Sequence, residues 1–166
     1  MAERPLWAPW RIEYILAPKS GECIFCEAVE GDGAQARWVV ERGEHCFMML
    51  NAYPYAPGHV LIAPNRHLAE LDDLTSEEML ELMSLARRAV AAQRAAMSPD
   101  GFNAGLNLGR VAGAGIADHL HLHVVPRWEG DTSFMPVLDD TRVIPQALDA
   151  SKDALVDALR RVAPSA

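Results

Sequence analysis

Polar and apolar residues alternate strictly from His119 to Val124, as His-Leu-His-Leu-His-Val. A period of two marks a strand whose faces differ. The pattern predicts a strand over 119–125, with His119, His121 and His123 on one face and Leu120, Leu122 and Val124 on the other. Further strands are predicted at Trp38–Val40 and Cys46–Leu50, joined by the Arg42-Gly43-Glu44 turn, and at His59–Ala63 and Phe102–Leu108. Pro54, Pro57 and Gly58 punctuate the loop that begins at Asn51. Thr75-Ser76-Glu77-Glu78 is a capping box that opens a helix. Met79, Leu82, Met83, Ala86 and Val90 follow at helical spacing and predict the face that packs on the sheet. Glu77, Glu78 and Glu81 read as a solvated helix face, and Ser98-Pro99-Asp100-Gly101 as the stop. A second amphipathic helix is predicted over 144–162, broken near Ser151, within a C-terminal helical segment 144–166. Antiparallel-type strands with two segregated helices make the fold class α+β. No repeat or linker divides the chain, so residues 1–166 form one domain. Residues 1–20, with Leu6-Trp7-Ala8-Pro9-Trp10, read as an ordered arm against the body or a second subunit.

Composition narrows the function. The 166 residues suffice for one core, and 50% apolar with 23% charged residues is the balance of a soluble globular domain. A net charge of −8 disfavours binding of long nucleic acid but leaves room for a nucleotide, which needs few donors. No run reaches the ~18 apolar residues of a membrane span. Trp7, Trp10, Arg11 and Glu13 interrupt the first fifteen residues, unlike a signal peptide, so a cytoplasmic location is expected. Cys23, Cys26 and Cys46 then read as metal ligands or buried thiols rather than disulfides.

Half of the six histidines stand in the alternating run. Rings two residues apart on a strand are ~6–7 Å apart, and rings four apart ~13 Å. Two neighbours could share a metal, but on a regular strand all three cannot reach one ion, so divided labour is the better reading. His121, flanked on both sides, suits a nucleophile toward phosphorus. Its attacking nitrogen must be neutral while the other donates a hydrogen bond. Gly113 and Gly115 let backbone N–H groups approach an anion, and His123 adds a donor. The competing reading, a polar strand face with satisfied core histidines, suits one histidine better than three in strict alternation. Cys23-Ile-Phe-Cys26 has the spacing for one edge of a tetrahedral zinc site, with a redox pair or buried thiols as the alternatives. Spacing does not name the other ligands. Cys46 reads as core, His45 as a solvated turn, Phe47–Leu50 as a buried strand, and Asp139-Asp140 as a loop or helix start.

The run His-φ-His-φ-His-φ-φ, with φ apolar, resembles the motif of the histidine-triad (HIT) superfamily at every position. Asn51-Ala-Tyr-Pro-Tyr-Ala-Pro-Gly-His59 is similar to the family's nucleoside-binding segment, and Gly101-Phe-Asn103 with Leu106-Asn-Leu-Gly109 to its phosphate side. Leu6-Trp-Ala-Pro-Trp-Arg11 and Val125-Pro-Arg-Trp128 resemble a bacterial branch with diadenosine tetraphosphate phosphorylase activity. The resemblance implies a HIT-like antiparallel sheet, extended across a homodimer, and an enzyme that cleaves adenosine polyphosphates through a nucleotidyl-histidine. The acceptor would be inorganic phosphate or water. It implies His121 as nucleophile and His123 as a ligand of a non-bridging oxygen. It also implies Asn51 at the ribose, Asn107 at the phosphates, Trp128 stacked on substrate and His59 as a support. Zinc-bearing members add a histidine from a Pro-x-x-His turn and the first triad histidine, here His67 and His119, to the two cysteines. That closed Cys23, Cys26, His67, His119 set implies structural Zn2+, with no catalytic metal or organic cofactor required. Many members carry Gln-Ser shortly before the first histidine, where this chain has Gly115-Ile116. Either the leaving group needs no proton, as for a polyphosphate, or another residue supplies it. The departure favours a nucleotide leaving group over the amine of a purine nucleoside phosphoramidase. Adenylyl sulfate hydrolysis is the other alternative within the family. A non-catalytic nucleotide-binding or zinc-stabilised interaction protein is the rival of another class.

Overall fold

The computed structural model describes residues 23–31, 34–131 and 146–162. The expectations for the N-terminal arm and for Asp139-Asp140 lie outside the described residues. A five-stranded sheet is built from β1 (Val39–Arg42), β2 (Cys46–Leu50), β3 (Val60–Pro64), β4 (Gly101–Leu106) and β5 (Leu122–Arg127). The order is β1-β2-β3-β5-β4 and every neighbouring pair is antiparallel. Around it lie α1 (Ile24–Glu30), α2 (Ser76–Met97) and α3 (Leu148–Arg161), so the fold is α+β.

Both faces of the central strands are covered, which is why β2 and β3 are buried at every position instead of alternately. One face meets α2: the Cys46 thiol donates to the Glu78 carbonyl, and Gln93 of α2 donates to the carbonyls of Gly58 and Val124. On the other face Phe25 of α1 meets Phe47 edge-on, with ring centroids 6.3 Å apart. Cys46 is core, as expected.

The capping box of α2 forms in full: Thr75 accepts from the Glu78 N–H and Glu78 accepts from the Thr75 N–H. The face predicted to pack is rotated. Leu82, Leu85, Ala86, Ala89 and Ala92 are buried, while Met79 and Met83 are exposed. The acidic residues differ too. Glu78 is buried against Arg66, 2.7 Å away. Glu81 accepts the backbone N–H groups of Glu44, His45 and Cys46, fastening the β1–β2 turn. A turn that points its amides outward needs an acceptor, and the Glu81 carboxylate of α2 supplies it at 2.5–2.9 Å.

Other boundaries move for local reasons. Trp38 belongs to a 3-10 turn before β1, and β4 stops at Leu106. α3 runs unbroken through the buried Ser151, whose N–H donates to the Ala147 carbonyl. β5 begins at Leu122 rather than His119. The backbone before it is engaged elsewhere: the Leu120 N–H donates to Leu68, and the His119 carbonyl accepts from the His121 ring.

Candidate active site

β5 lies between the central strand β3 and the edge strand β4, and His123 faces Leu61 on one side and Gly105 on the other. Gly105 adds no side chain, and a Cβ there would meet nothing within 4 Å, so the face beside His123 is open. His121 lies one step before the strand, its ring centroid 4.9 Å from that of His123 and 4.9 Å from Phe25. Phe25 also touches His119, at 5.0 Å. The three rings therefore form a row although only His123 lies within the strand.

Hydrogen-bond partners fix the tautomers along this row. His121 Nδ1 lies 2.8 Å from the His119 carbonyl oxygen, which only accepts, so Nδ1 carries the proton. Nε2 is left with its lone pair. Burial lowers the His121 pKa, opposed by that hydrogen bond, so the ring is neutral at pH 7. A second chain starts at the Tyr55 N–H, which donates to His59 Nδ1 at 3.1 Å, with Asn51 Nδ2 3.3 Å from the same nitrogen. His59 must then carry its proton on Nε2, which lies 3.0 Å from His123 Nδ1. His123 in turn carries its proton on Nε2, 3.5 Å from Asn107 Nδ2. Two donors, the His123 N–H and the Asn107 amide, stand side by side, an arrangement suited to an anion. Burial first, then the neighbouring His123 and His121, pushes His59 down to about 3. Burial first, then His121, pushes His123 down to about 4.

His119 turns the other way. Its Nε2–H donates to the Pro64 carbonyl at 2.9 Å, leaving the Nδ1 lone pair 3.3 Å from Cys23 Sγ and 3.8 Å from Cys26 Sγ. His67 Nδ1 is 3.3 Å from Cys26 Sγ. The four ligand atoms lie within 4.8 Å of one another. Tetrahedral zinc with bonds of ~2.0–2.3 Å has ligand–ligand edges of ~3.3–3.8 Å, so the donor set fits that ion. Cys23 caps the start of α1 and Cys26 lies within it, so one turn presents both sulfurs. Burial first, then Cys23 and Glu30, holds the Cys26 thiol up at about 11, so a cation must displace the proton there.

The remaining expected residues are placed less centrally. Asn51 accepts the Tyr53 N–H through Oδ1, closing a turn at the head of the loop to His59. Gly113 has φ +89° and ends a 3-10 turn (Arg110–Ala112), and Gly115 follows it in the loop before His119. Trp128 stands beyond β5, seven residues and so ~23 Å of strand from His121, and its indole N–H donates to the Met97 carbonyl. Sequence reasoning missed Phe25, which is fully buried between two of the histidines. It also missed Tyr55, whose ring stacks on His123 with centroids 6.0 Å apart. Aromatics spaced from the motif in sequence carry no local signal of that contact.

The HIT domain family model matches residues 33–130. An AP-4-A phosphorylase of Mycobacterium tuberculosis is 41% identical over 152 residues, covering 86% of this chain and 77% of that protein. A HIT-like protein of Methanocaldococcus jannaschii is 34% identical, over 66% of this chain and 81% of its own length. Among solved structures, a Zn-bound histidine triad family protein from Mycobacterium smegmatis superposes with a TM-score of 0.70 at 29% identity, covering 86% of this chain and 96% of that one. The triad's tautomers, the four-ligand cluster and these likenesses converge: the chain belongs to the histidine-triad (HIT) family, whose members are enzymes acting on nucleotides.

Proposed function

We propose that this enzyme cleaves adenosine polyphosphates of the diadenosine tetraphosphate type, passing an adenylyl group through His121. The hydrogen bond from His121 Nδ1 to the His119 carbonyl carries this reading, because it leaves Nε2 as an unprotonated nucleophile in a buried, neutral ring. The Nε2 lone pair attacks the α-phosphorus, an N–P bond forms, and the bond to the bridging oxygen breaks with its electron pair on the departing ATP. His121 Nδ1–H remains donated to the carbonyl, which supports the imidazolium that forms. His123 Nε2–H and the Asn107 amide stabilise the equatorial oxygens. Asn51 holds the ribose, and the glycine-bearing loop through Gly113 and Gly115 lies beside the phosphates. An oxygen of inorganic phosphate then attacks phosphorus and the N–P bond breaks, returning the lone pair to Nε2 and yielding ADP. With water as acceptor the product is AMP. ATP departs without needing a proton, which suits a chain with Gly115-Ile116 before the triad.

Cys23, Cys26, His67 and His119 would hold a structural Zn2+ that clips α1 to the histidine row and takes no part in the bond changes. The exposed β4 edge, at Asn103, Ala104 and Gly105, supports a homodimer with joined sheets, in which Trp128 would serve the partner's site. The whole of residues 1–166 would act as one domain, in the cytoplasm.

Product analysis of diadenosine tetraphosphate, with and without inorganic phosphate, is the test. ATP plus ADP only with phosphate supports phosphorolysis. ATP plus AMP regardless supports hydrolysis by the same route. Absence of turnover in both sinks the polyphosphate reading and favours amidates or adenylyl sulfate. His121→Asn is expected to abolish turnover, by at least ~10⁴-fold, while nucleotide binding measured by calorimetry survives.

A further inference from the structure

A tetraphosphate brings several negative charges to a chain whose own net charge is −8. A permanent cation nearby would offset that repulsion. Most arginines in the described residues are already engaged. Arg42 donates to the Ala28 and Val29 carbonyls. Arg66, Arg88, Arg127 and Arg160 pair with Glu78, Glu41, Asp131 and Asp157. Arg161 donates to the Asp157 carbonyl, while Arg37 and Arg94 lie over the rings of Trp38 and Phe102. Two arginines remain, with no side-chain hydrogen bond or ion pair: Arg87, exposed on α2, and Arg110. Arg87 is on the helix that covers the opposite face of the sheet.

Arg110 is differently placed. It opens the exposed 3-10 turn between Gly109 and Gly113, which adopt φ +77° and +89°. It follows by three residues the Asn107 amide that stands 3.5 Å from His123 Nε2. Three residues span at most ~11 Å of chain, so Arg110 stands close in the chain to an anion held by His123 and Asn107. Arg110 is also the only Lys or Arg between Gly101 and Pro126.

We infer that Arg110 is a specificity residue, which binds phosphate oxygens beyond the α-phosphate and selects polyphosphates over single-phosphate adenylates. The inference rests on the polyphosphate reading above. Those oxygens belong either to the substrate's own chain or to the incoming inorganic phosphate. Arg110 is exposed, so Arg110→Gln and Arg110→Lys should fold as the parent does.

The test compares kcat/KM for diadenosine tetraphosphate with that for an adenosine phosphoramidate. In Arg110→Gln this ratio is expected to fall ~10-fold, the worth of one charge-assisted hydrogen bond, with partial recovery in Arg110→Lys. Loss in the burst of ATP release without inorganic phosphate assigns the guanidinium to the substrate chain. A raised KM for inorganic phosphate alone assigns it to the acceptor. Calorimetry of ATP against AMP, on parent and Arg110→Gln, decides the matter independently of turnover. If the parent turns over neither substrate, the function above fails, and the ATP preference still reports on Arg110. Unchanged substrate ratio, phosphate KM and ATP preference in Arg110→Gln would overturn the inference.

Discussion

His123 depends on a residue 64 positions earlier in the sequence: His59, which is fully buried and is itself pinned by the Tyr55 N–H. The relay makes His59 a positioning residue. His59→Leu removes the proton that holds His123 in its donor tautomer, and kcat is expected to fall ~10–100-fold, as when other tautomer-fixing partners are lost, with little change in KM. His59→Gln keeps an amide donor and should recover part of the loss. Equal losses in both variants would reduce His59 to packing. The triad and the Cys-x-x-Cys pair were readable in the sequence because their spacing carries the chemistry. The relay's direction was not, since it is set by a main-chain amide that any residue but proline would provide at position 55.

At the level of elements, β2, β3 and α2 followed from apolar runs and a capping box, whereas α1 did not. Its seven residues have no side-chain cap and follow the demands of two sulfurs and one buried phenyl ring. The acidic face of α2 misled for a related reason. Glu78 and Glu81 look solvated by composition, but the helix's first turns lie beside a turn with outward amides and beside Arg66. Arg66 hydrogen bonds first, and the Thr75 N–H with it, hold the Glu78 carboxyl down at about 2 against the opposing burial. Because the folded pKa lies below the unfolded one, ionised Glu78 stabilises the protein above ~pH 4.5, and that gain is lost as pH falls toward 2. Glu78→Gln should therefore cost about 1–2 kcal/mol at pH 7, shrinking through pH 4 to 3 in urea titrations. A cost independent of pH would show that the charge is irrelevant. Gly58 fixes another joint: φ is +72° and a Cβ would sit 2.6 Å from Met97 Sδ. Gly58→Ala is expected to lower the urea midpoint by the equivalent of about 1–3 kcal/mol.

For the molecule as a whole, two of the buried histidines contribute to the acid limit. His59 and His123, at about 3 and about 4, lie below their unfolded value near ~6.5, so the unfolded chain takes up these protons first. Stability is complete above ~pH 6.5 and declines as pH falls toward 4 and 3. The urea midpoint of the parent should drop between pH 6.5 and 5, with a smaller slope in His59→Gln; a flat profile would contradict neutral burial. Chelation, on the reading of a structural zinc, should lower Tm by ~10 °C, about 3–5 kcal/mol at this size, while turnover at low temperature persists. No helix among the described residues is long and apolar enough to cross a membrane. His119 joins these two systems without merging them. Its side chain faces the sulfur cluster, and its main-chain carbonyl holds the His121 ring. A carbonyl is present whatever side chain stands at position 119. A metal clip at that cluster would thus be open to evolutionary replacement by ordinary packing, four positions changing together, while the Nδ1–H tautomer of His121 is inherited intact.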